Sequence, residues 1–247
     1  FSMSAAAGPA INASKARTDK DGATHWYDIR LLGMEGQGWS EVKAPFDRLP
    51  AKSEKVVRPA VWSLSRHSAG MAVRFVTDAT TIQARWTLTS ANLAMDHMAA
   101  TGVSGLDLYV KSEDGKWRWL NVGRPKEQTN VQKLASGIPE GKREYLLYLP
   151  LYNGVSSVEL GIPKTSALEK APPYPAAREK PILFYGTSIT HGACASRPGM
   201  PHPAILGRRL GRPVINLGFS GNGKMEKEVG KYLAELDAAG VHYSLIG

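Results

Sequence analysis

The chain has 247 residues, of which 43% are hydrophobic and 21% are charged, and it carries a formal net charge of +9. This composition is typical of a folded chain with one large domain or two ordinary ones, and it excludes a disordered protein. No apolar run is long enough to cross a bilayer, so we expect no membrane span. The basic residues are scattered among acids without interleaved aromatics, so we expect no nucleic-acid partner.

The beginning of the chain lacks an apolar period. Residues 1–24 are rich in Ala, Ser, Lys and Asp, which predicts a flexible N-terminal arm. Small residues of this kind also follow signal-peptide cleavage sites, so we expect a periplasmic or secreted protein, with a cytoplasmic location left open. Cys194 is the only cysteine, which excludes an intrachain disulfide without deciding the compartment. We expect it to be a small buried residue on a helix.

Alternation of apolar and polar residues predicts strands along most of residues 25–170. The alternation is clearest over 82–89, and residues 61–65 alternate as well. Over 105–120, two apolar runs flank a turn with Asp114-Gly115 at its tip, which is a hairpin signal. Many short strands without a long helix predict a β-sandwich of jelly-roll-like form.

A change of pattern marks a second domain. Three prolines predict a semi-rigid linker over 171–180, because proline continues neither a helix nor a central strand. Strand and helix patterns then alternate, which predicts the start of a doubly wound, flavodoxin-like α/β domain over 181–247. The predicted elements are a strand over 182–185, a helix over 203–210, a strand over 213–217, a helix over 225–240 and a strand over 241–246.

Two glycine-rich stretches follow the first two buried strands of that domain. The first, Gly186-Thr-Ser-Ile-Thr-His-Gly192, brings a hydroxyl to the carboxyl end of a strand, where open α/β sheets bind their ligands. The second runs from Gly218 to Gly223 and lacks the lysine and hydroxyl pair of a phosphate-binding loop. The histidines also lack metal-ligand spacing. We therefore expect no nucleotide, metal or other cofactor.

Three blocks of the sequence, in this order, resemble the GDSL/SGNH hydrolases. Ser104-Gly-Leu-Asp-Leu-Tyr-Val110 resembles the Gly-x-Asp-Leu-Tyr signature of a β-rich domain that precedes esterases of this kind. Residues 186–192 resemble the nucleophile block, with Thr187 where the commonest form has Asp. Residues 214–223 resemble the second block, in which a glycine N–H helps to bind an oxyanion. The resemblance implies a β-sandwich followed by an SGNH α/β domain.

The resemblance also implies a catalytic role for Ser188. It would be the nucleophile of a serine esterase, and the N–H groups of Ser188 and Gly221 would bind the oxyanion. A serine hydroxyl needs an oriented base to attack at neutral pH. In the family the base comes from an Asp-x-x-His block and a third oxyanion donor from an Asn block, and these 247 residues contain neither. We therefore expect a truncated SGNH domain with impaired activity.

Further residues are candidates for substrate contact: His97, His191 and Asn222. His191 lies about one helical turn after Ser188, where it could act as a base, but a polar residue at the mouth of the site is the simpler interpretation. His97 precedes the Gly-Leu-Asp-Leu-Tyr block, in a loop that could lean over Ser188, and an ordinary loop histidine is the alternative. We expect Asp107 to bond nearby backbone at a strand edge rather than to act as an acid.

Three interpretations of function stay open. The first is hydrolysis of a small acyl ester through an acyl-serine, and the resemblance implies an acetyl group on a carbohydrate. The alternative is a non-catalytic module whose sandwich binds a glycan through aromatic rings that could equally lie in the core: Trp117, Trp119 and Tyr152. The third is a homodimer, because the open edge of a partial sheet can pair with a second copy.

Overall fold

Three sheets account for most of the regular structure in the computed structural model, which describes residues 7–20 and 22–243. The strands are β1 (Arg17–Thr18), β2 (Thr24–Asp28), β3 (Met34–Glu35), β4 (Ala72–Thr77), β5 (Thr81–Leu88), β6 (Leu106–Lys111), β7 (Trp117–Gly123), β8 (Thr129–Ser136), β9 (Arg143–Tyr148), β10 (Val155–Pro163), β11 (Leu168–Lys170), β12 (Ile182–Gly186), β13 (Val214–Gly218) and β14 (Gly240–Tyr243). The helices are α1 (Pro59–Ser65), α2 (Ala100–Val103), α3 (Ser188–His191), α4 (His202–Leu210) and α5 (Lys227–Leu233).

The N-terminal part consists of two antiparallel sheets that share one core. One sheet has the order β1-β2-β10-β5-β8, and the other has the order β11-β4-β9-β6-β7 with β3 beside β4. Burial along β5 alternates residue by residue, as the sequence predicts. Its buried side chains belong to the same hydrophobic cluster as residues of the opposite sheet: Ile82, Ala84, Trp86 and Leu88 with Phe75, Leu108 and Leu147. The predicted β-rich part is therefore present, and its hairpin is formed by β6 and β7.

Residues 61–65 form helix α1 rather than the predicted strand. Pro59 occupies the first turn, where its fixed φ suits a helix and its missing N–H costs nothing. The helix buries Val61 and Ser65, which are four residues apart and therefore lie on one helical face. The alternation of these residues predicts a period of two, whereas their burial follows the helical period.

A second hydrophobic core joins α1 and the segment before it to the C-terminal sheet. Leu49, Val57 and Val61 are buried against side chains of β12, β13 and α5. Trp39 and Trp62 pack against the same cluster. The predicted domain of residues 25–170 includes all of these residues, although their side chains pack against the second sheet. The segment 39–65 contributes no sandwich strand, so its apolar side chains are free to cover the second sheet.

The predicted flexible arm over 1–24 is wrong for residues 8–18. The N–H groups of Gly8 and Ile11 donate to carbonyl groups of β11, at 2.9 and 2.7 Å, and β1 pairs with β2. These are backbone contacts, which need no apolar period in the side chains, so the composition could not reveal them. The first six residues lie outside the described part of the chain.

The C-terminal part is built on a parallel sheet of order β13-β12-β14. Gly211 ends α4 in the left-handed conformation, with φ of 57°, as expected of a glycine after a helix. The predicted helix over 225–240 is shorter, since α5 ends at Leu233. The strand predicted over 241–246 is β14, and its last three residues fall outside the described chain. Within residues 7–20 and 22–243, no helix has both the length and the apolarity needed to cross a membrane.

Candidate active site

The turn of residues 186–192 and the glycine loop of residues 219–223 meet at the carboxyl edge of the parallel sheet. Gly186 at the end of β12 pairs with Gly218 at the end of β13, so the two following turns start side by side. The Phe219 N–H donates to the Gly186 carbonyl at 2.8 Å. A Cβ on Gly223 would lie 2.1 Å from the same carbonyl oxygen, so only glycine allows this approach. The loop over 219–223 is therefore pressed against the turn that presents Ser188.

Ser188 is the first residue of α3 and is half-buried. Its carbonyl accepts the N–H groups of Gly192 and Ala193, at 2.9 and 2.8 Å, and the hydroxyl of Tyr152, at 3.3 Å. Its own hydroxyl forms no hydrogen bond with any residue among 7–20 and 22–243. The backbone of the turn is thus fixed while the side-chain oxygen is left for another partner.

His191 lies beneath the site, where its side chain has no exposed surface for the predicted contact with substrate. It is completely buried. Its Nε2–H donates to the Leu151 carbonyl at 2.8 Å, and its Nδ1 accepts the Ser220 N–H at 3.4 Å. The ring stacks on Tyr152 with 4.1 Å between centroids. Both nitrogens are in use, so His191 fixes the glycine loop instead of acting as a base.

A buried arginine, Arg48, supports both His191 and the glycine loop, and the sequence patterns gave no sign of this role. The Arg48 side chain is 1% exposed and donates to four carbonyl groups at 2.6–3.1 Å: those of His67, Leu64, Asn216 and Gly218. Burial lowers the pKa of Arg48 to about 9, so it stays charged at neutral pH. Burial, then the Arg48 charge, lowers the pKa of His67 to about 4 and that of His191 well below its ordinary value.

The Asn222 side chain shapes the glycine loop from within. Its Nδ2 donates to the Ser220 carbonyl and its Oδ1 accepts from Arg58, both at 2.8 Å. The amide is therefore committed to protein partners, and the arrangement gives no support to the predicted contact with substrate. The carboxylate of Glu226 binds the same arginine, so the loop is tied to the start of α5.

The connecting segment, residues 192–201, joins α3 to α4 and packs against the sandwich. His97 is exposed in the loop before α2, and Thr101 of that helix donates to the Ser196 carbonyl at 2.6 Å. The contact of His97 with substrate stays a prediction. Cys194 is exposed in this segment with φ of 60°, so the prediction of a buried helical residue is wrong.

Asp107 of the Gly-Leu-Asp-Leu-Tyr block is completely buried. Its Oδ1 accepts the indole N–H of Trp119 at 2.9 Å, and its Oδ2 accepts the N–H of Gly199 at 2.8 Å. The expected structural role is thus present, but the backbone that it binds is 92 residues away rather than nearby. Within the described ranges, no group of three His, Cys, Asp or Glu residues could hold a metal ion.

Comparison with known families agrees with this geometry. A family model for the N-terminal GxDLY part of SGNH-hydrolase-type esterases matches residues 24–168, which is more than half of the chain. A second model, for the GDSL-like lipase/acylhydrolase family, matches residues 179–243. The chain therefore belongs to the family of SGNH-hydrolase-type esterases with an N-terminal GxDLY domain.

Two solved structures are similar over nearly the whole chain. One is a candidate GDSL-like lipase from Bacteroides ovatus ATCC 8483, with 36% identity and a TM-score of 0.83, covering 90% of this chain and 64% of that one. The other is a salicylyl-acyltransferase from a tetracycline biosynthetic pathway, with 18% identity and a TM-score of 0.64, covering 94% and 61%; it shows the fold alone. The chain thus spans less than two thirds of either protein. No match was found among curated proteins.

Proposed function

We propose that the protein is a serine esterase in which Ser188 is the nucleophile. The observation that carries the proposal is the position of this hydroxyl, at the end of β12 and beside the glycine loop that follows β13. Open α/β sheets keep their reactive groups at this edge. Membership of the esterase family and similarity to a GDSL-like lipase candidate support the same chemistry.

Two backbone N–H groups suit the oxyanion. In the described chain neither the N–H of Ser188 nor that of Gly221 donates to another residue, whereas the N–H groups of Ser220 and Asn222 are both occupied. Attack by the Ser188 oxygen on an ester carbonyl would place negative charge on the carbonyl oxygen between the two free donors. Each donor of this kind contributes about 3–4 kcal/mol to lowering the barrier. The alcohol leaves with the proton that the Ser188 hydroxyl gives up, and water then releases the acid from the acyl-serine and restores the serine proton.

Labelling with a fluorophosphonate probe tests the nucleophile directly. We expect mass spectrometry of the labelled chain to find the adduct on Ser188, and we expect Ser188→Ala to abolish both the adduct and any hydrolysis of p-nitrophenyl acetate. Ser196→Ala is a matched control, because Ser196 is exposed in the connecting segment and only its carbonyl is bonded. Turnover that survives in Ser188→Ala would show that the nucleophile is another residue.

The finer assignments belong to this proposal as well. The substrate is a small acyl ester, by family resemblance an acetyl ester of a carbohydrate, and the chain is exported. The sandwich has the jelly-roll form and the parallel sheet starts a flavodoxin-like domain. Release of acetate from an acetylated xylan, compared with release of longer acids from matched esters, tests the substrate. Faster release of a long-chain acid would contradict the acetyl assignment.

An exposed indole favours one alternative, glycan binding without catalysis. Trp119 on β7 is 48% exposed, although its N–H is held by Asp107. Flat aromatic faces suit sugar rings. Titration calorimetry of the full chain with xylohexaose would show binding that Trp119→Ala removes. Val131→Ala is the control, because Val131 is an exposed apolar side chain of β8. Binding without any labelling of Ser188 would favour this alternative.

A further inference from the structure

The turn that presents Ser188 is bonded directly to the connecting segment, residues 192–201. The first two N–H groups of that segment, from Gly192 and Ala193, both donate to the Ser188 carbonyl. No helix or strand lies between α3 and α4. A displacement of the connecting segment would therefore also displace Ser188. The segment has no regular structure of its own, so contacts from outside the α/β part are needed to hold it in place.

The sandwich holds the connecting segment at three successive points. Thr101 donates its hydroxyl to the Ser196 carbonyl at 2.6 Å. Gly102 approaches the Ala195 carbonyl so closely that a Cβ would lie 2.1 Å from its oxygen. Asp107 accepts the Gly199 N–H at 2.8 Å. Two of these contacts come from α2, which directly precedes the Gly-Leu-Asp-Leu-Tyr block, and the third comes from Asp107 within the block, in the first half of β6.

The alternation of β6 explains the spacing of this block. Leu106 and Leu108 point into the sandwich core and are completely buried there. Asp107 and Tyr109 point to the opposite face, since successive strand residues alternate. A Cβ on Gly199 would lie 2.5 Å from a ring carbon of Tyr109 and 2.8 Å from Asp107 Oδ2. The acidic and aromatic positions of the block thus form one surface that fits the Gly199 backbone.

The partners of Asp107 join the two parts of the molecule. Its Oδ1 binds Trp119 of the sandwich, and its Oδ2 binds Gly199, with Arg197 of the connecting segment 3.5 Å away. The Arg197 guanidinium lies over the Trp119 ring at 4.7 Å. Removal of a carboxylate from water is costly, and replacement of such groups by apolar ones is often neutral for stability. Stability alone therefore does not explain a buried carboxylate here, whereas fixed geometry does.

From these contacts we infer that Asp107 is a positioning residue for the nucleophile. It holds the connecting segment through the Gly199 N–H and so fixes the turn that presents Ser188. The Gly-Leu-Asp-Leu-Tyr block is then the device by which the sandwich sets the geometry of the hydrolase site. This inference rests on the proposed function of Ser188 for its catalytic consequence, while the tether itself is independent of it.

The variant Asp107→Asn tests the inference with little change in size. An asparagine keeps one acceptor but turns an N–H₂ donor toward either Gly199 or Trp119, where a donor is already present. We expect the maximal rate of fluorophosphonate labelling at Ser188 to fall at least tenfold, with little change in the probe concentration for half-maximal rate. We expect backbone hydrogen exchange in residues 192–201 to become at least tenfold faster.

Two further variants separate positioning from general destabilisation. Trp119→Phe removes the bond to Oδ1 and keeps an aromatic ring beside Arg197, so labelling should stay within about threefold of wild type. Ile82→Val weakens the sandwich core from the sheet opposite the block, and it should change neither labelling nor exchange in the connecting segment. Asp107→Asn with wild-type labelling or wild-type exchange would overturn the inference. A wild-type chain that is never labelled at Ser188 would instead remove the proposed function, and exchange would then decide the tether alone.

Discussion

The β-sandwich and the parallel sheet complete their cores in different ways. The sandwich buries side chains between two sheets whose strands come from its own stretch of chain. Among the described residues the parallel sheet has three strands, and residues 39–65, which precede most of the sandwich strands, pack against one of its faces. Its edge strand β14 is exposed at all four residues. The site therefore depends on supports that are remote in sequence, and a change in the N-terminal half can disable it.

Two buried charged side chains, Arg48 and Asp107, also support the site from different parts of the chain. Arg48 is surrounded by backbone carbonyl groups and stacks on Phe219, which begins the glycine loop, at 5.1 Å. Asp107 lies beside a cation, Arg197, and binds the connecting segment, which follows the Ser188 turn in the chain. One charge fixes the end of β13 from below, and the other fixes the connecting segment from the sandwich. Variants of each should distinguish the two supports.

The largest effect is expected for Arg48→Met. It removes four hydrogen bonds from a charged donor to buried carbonyls, each worth about 1.5–3 kcal/mol, so we expect a loss of at least about 6 kcal/mol of stability. Urea denaturation followed by tryptophan fluorescence measures the loss. Arg48→Lys keeps the charge but loses the planar guanidinium that donates to several carbonyls at once. Its loss of stability should therefore be smaller than that of Arg48→Met. Arg17→Met, at a side chain that is 84% exposed, should be nearly neutral.

Leu49→Ala should unfold the parallel sheet selectively. Leu49 is fully buried in the second core although it lies in the N-terminal half. Truncation of a buried leucine costs about 2–5 kcal/mol. Hydrogen exchange should become faster in β12 and β13 and stay unchanged in β4 and β9. Leu108→Ala, in the sandwich core, should give the reverse pattern. Equal acceleration in all four strands would mean that the two cores unfold as one unit.

Acid should act on the two regions with opposite signs. His67 is neutral in the fold, so its contribution to stability is present above pH 6.5 and is lost as the pH falls toward its folded pKa of about 4. Burial raises the pKa of Asp107 to about 6, against the bonds from Gly199 and Trp119 and the charges of Arg197 and Arg208. The folded state therefore gains a proton there first, and stability rises as the pH falls from 6 to 4.

The two acid effects can be separated with Asp107→Asn. Each effect amounts to about 3 kcal/mol over its full range. Without the carboxyl group of Asp107, the opposing gain disappears, so the variant should lose stability more steeply than wild type between pH 6 and 4. Thermal unfolding midpoints at half-unit intervals of pH measure both slopes. Parallel curves for the two proteins would contradict the raised pKa of Asp107, whose neighbour Tyr109 is protonated throughout this range.

Sequence patterns predicted what depends on neighbours along the chain. Period-two burial in β5, the buried runs of β12 and β13, and the glycine after α4 are local signals, and the structure confirms them. Asp107 and Arg48 could not be placed, because their partners are backbone groups that are 92 and up to 170 residues away and leave no pattern in residue types. Helix α1 was not predicted, because residues 61–65 fit a period of two as well as the helical period. The positions of Asp107 and Arg48 relative to Ser188 are set by the fold as a whole.

The smallest effect is expected for a matched pair of glycine variants. Gly221 and Gly137 have φ of 65° and 67°, and a Cβ on either would meet nothing within 4 Å. Alanine at either position should therefore cost about 1 kcal/mol through backbone strain alone. Only Gly221→Ala should also slow labelling of Ser188, because strain there tilts an N–H that the proposal assigns to the oxyanion. Equal labelling in both variants, at equal stability, would assign the loop a structural role and leave Ser188 with a different second donor.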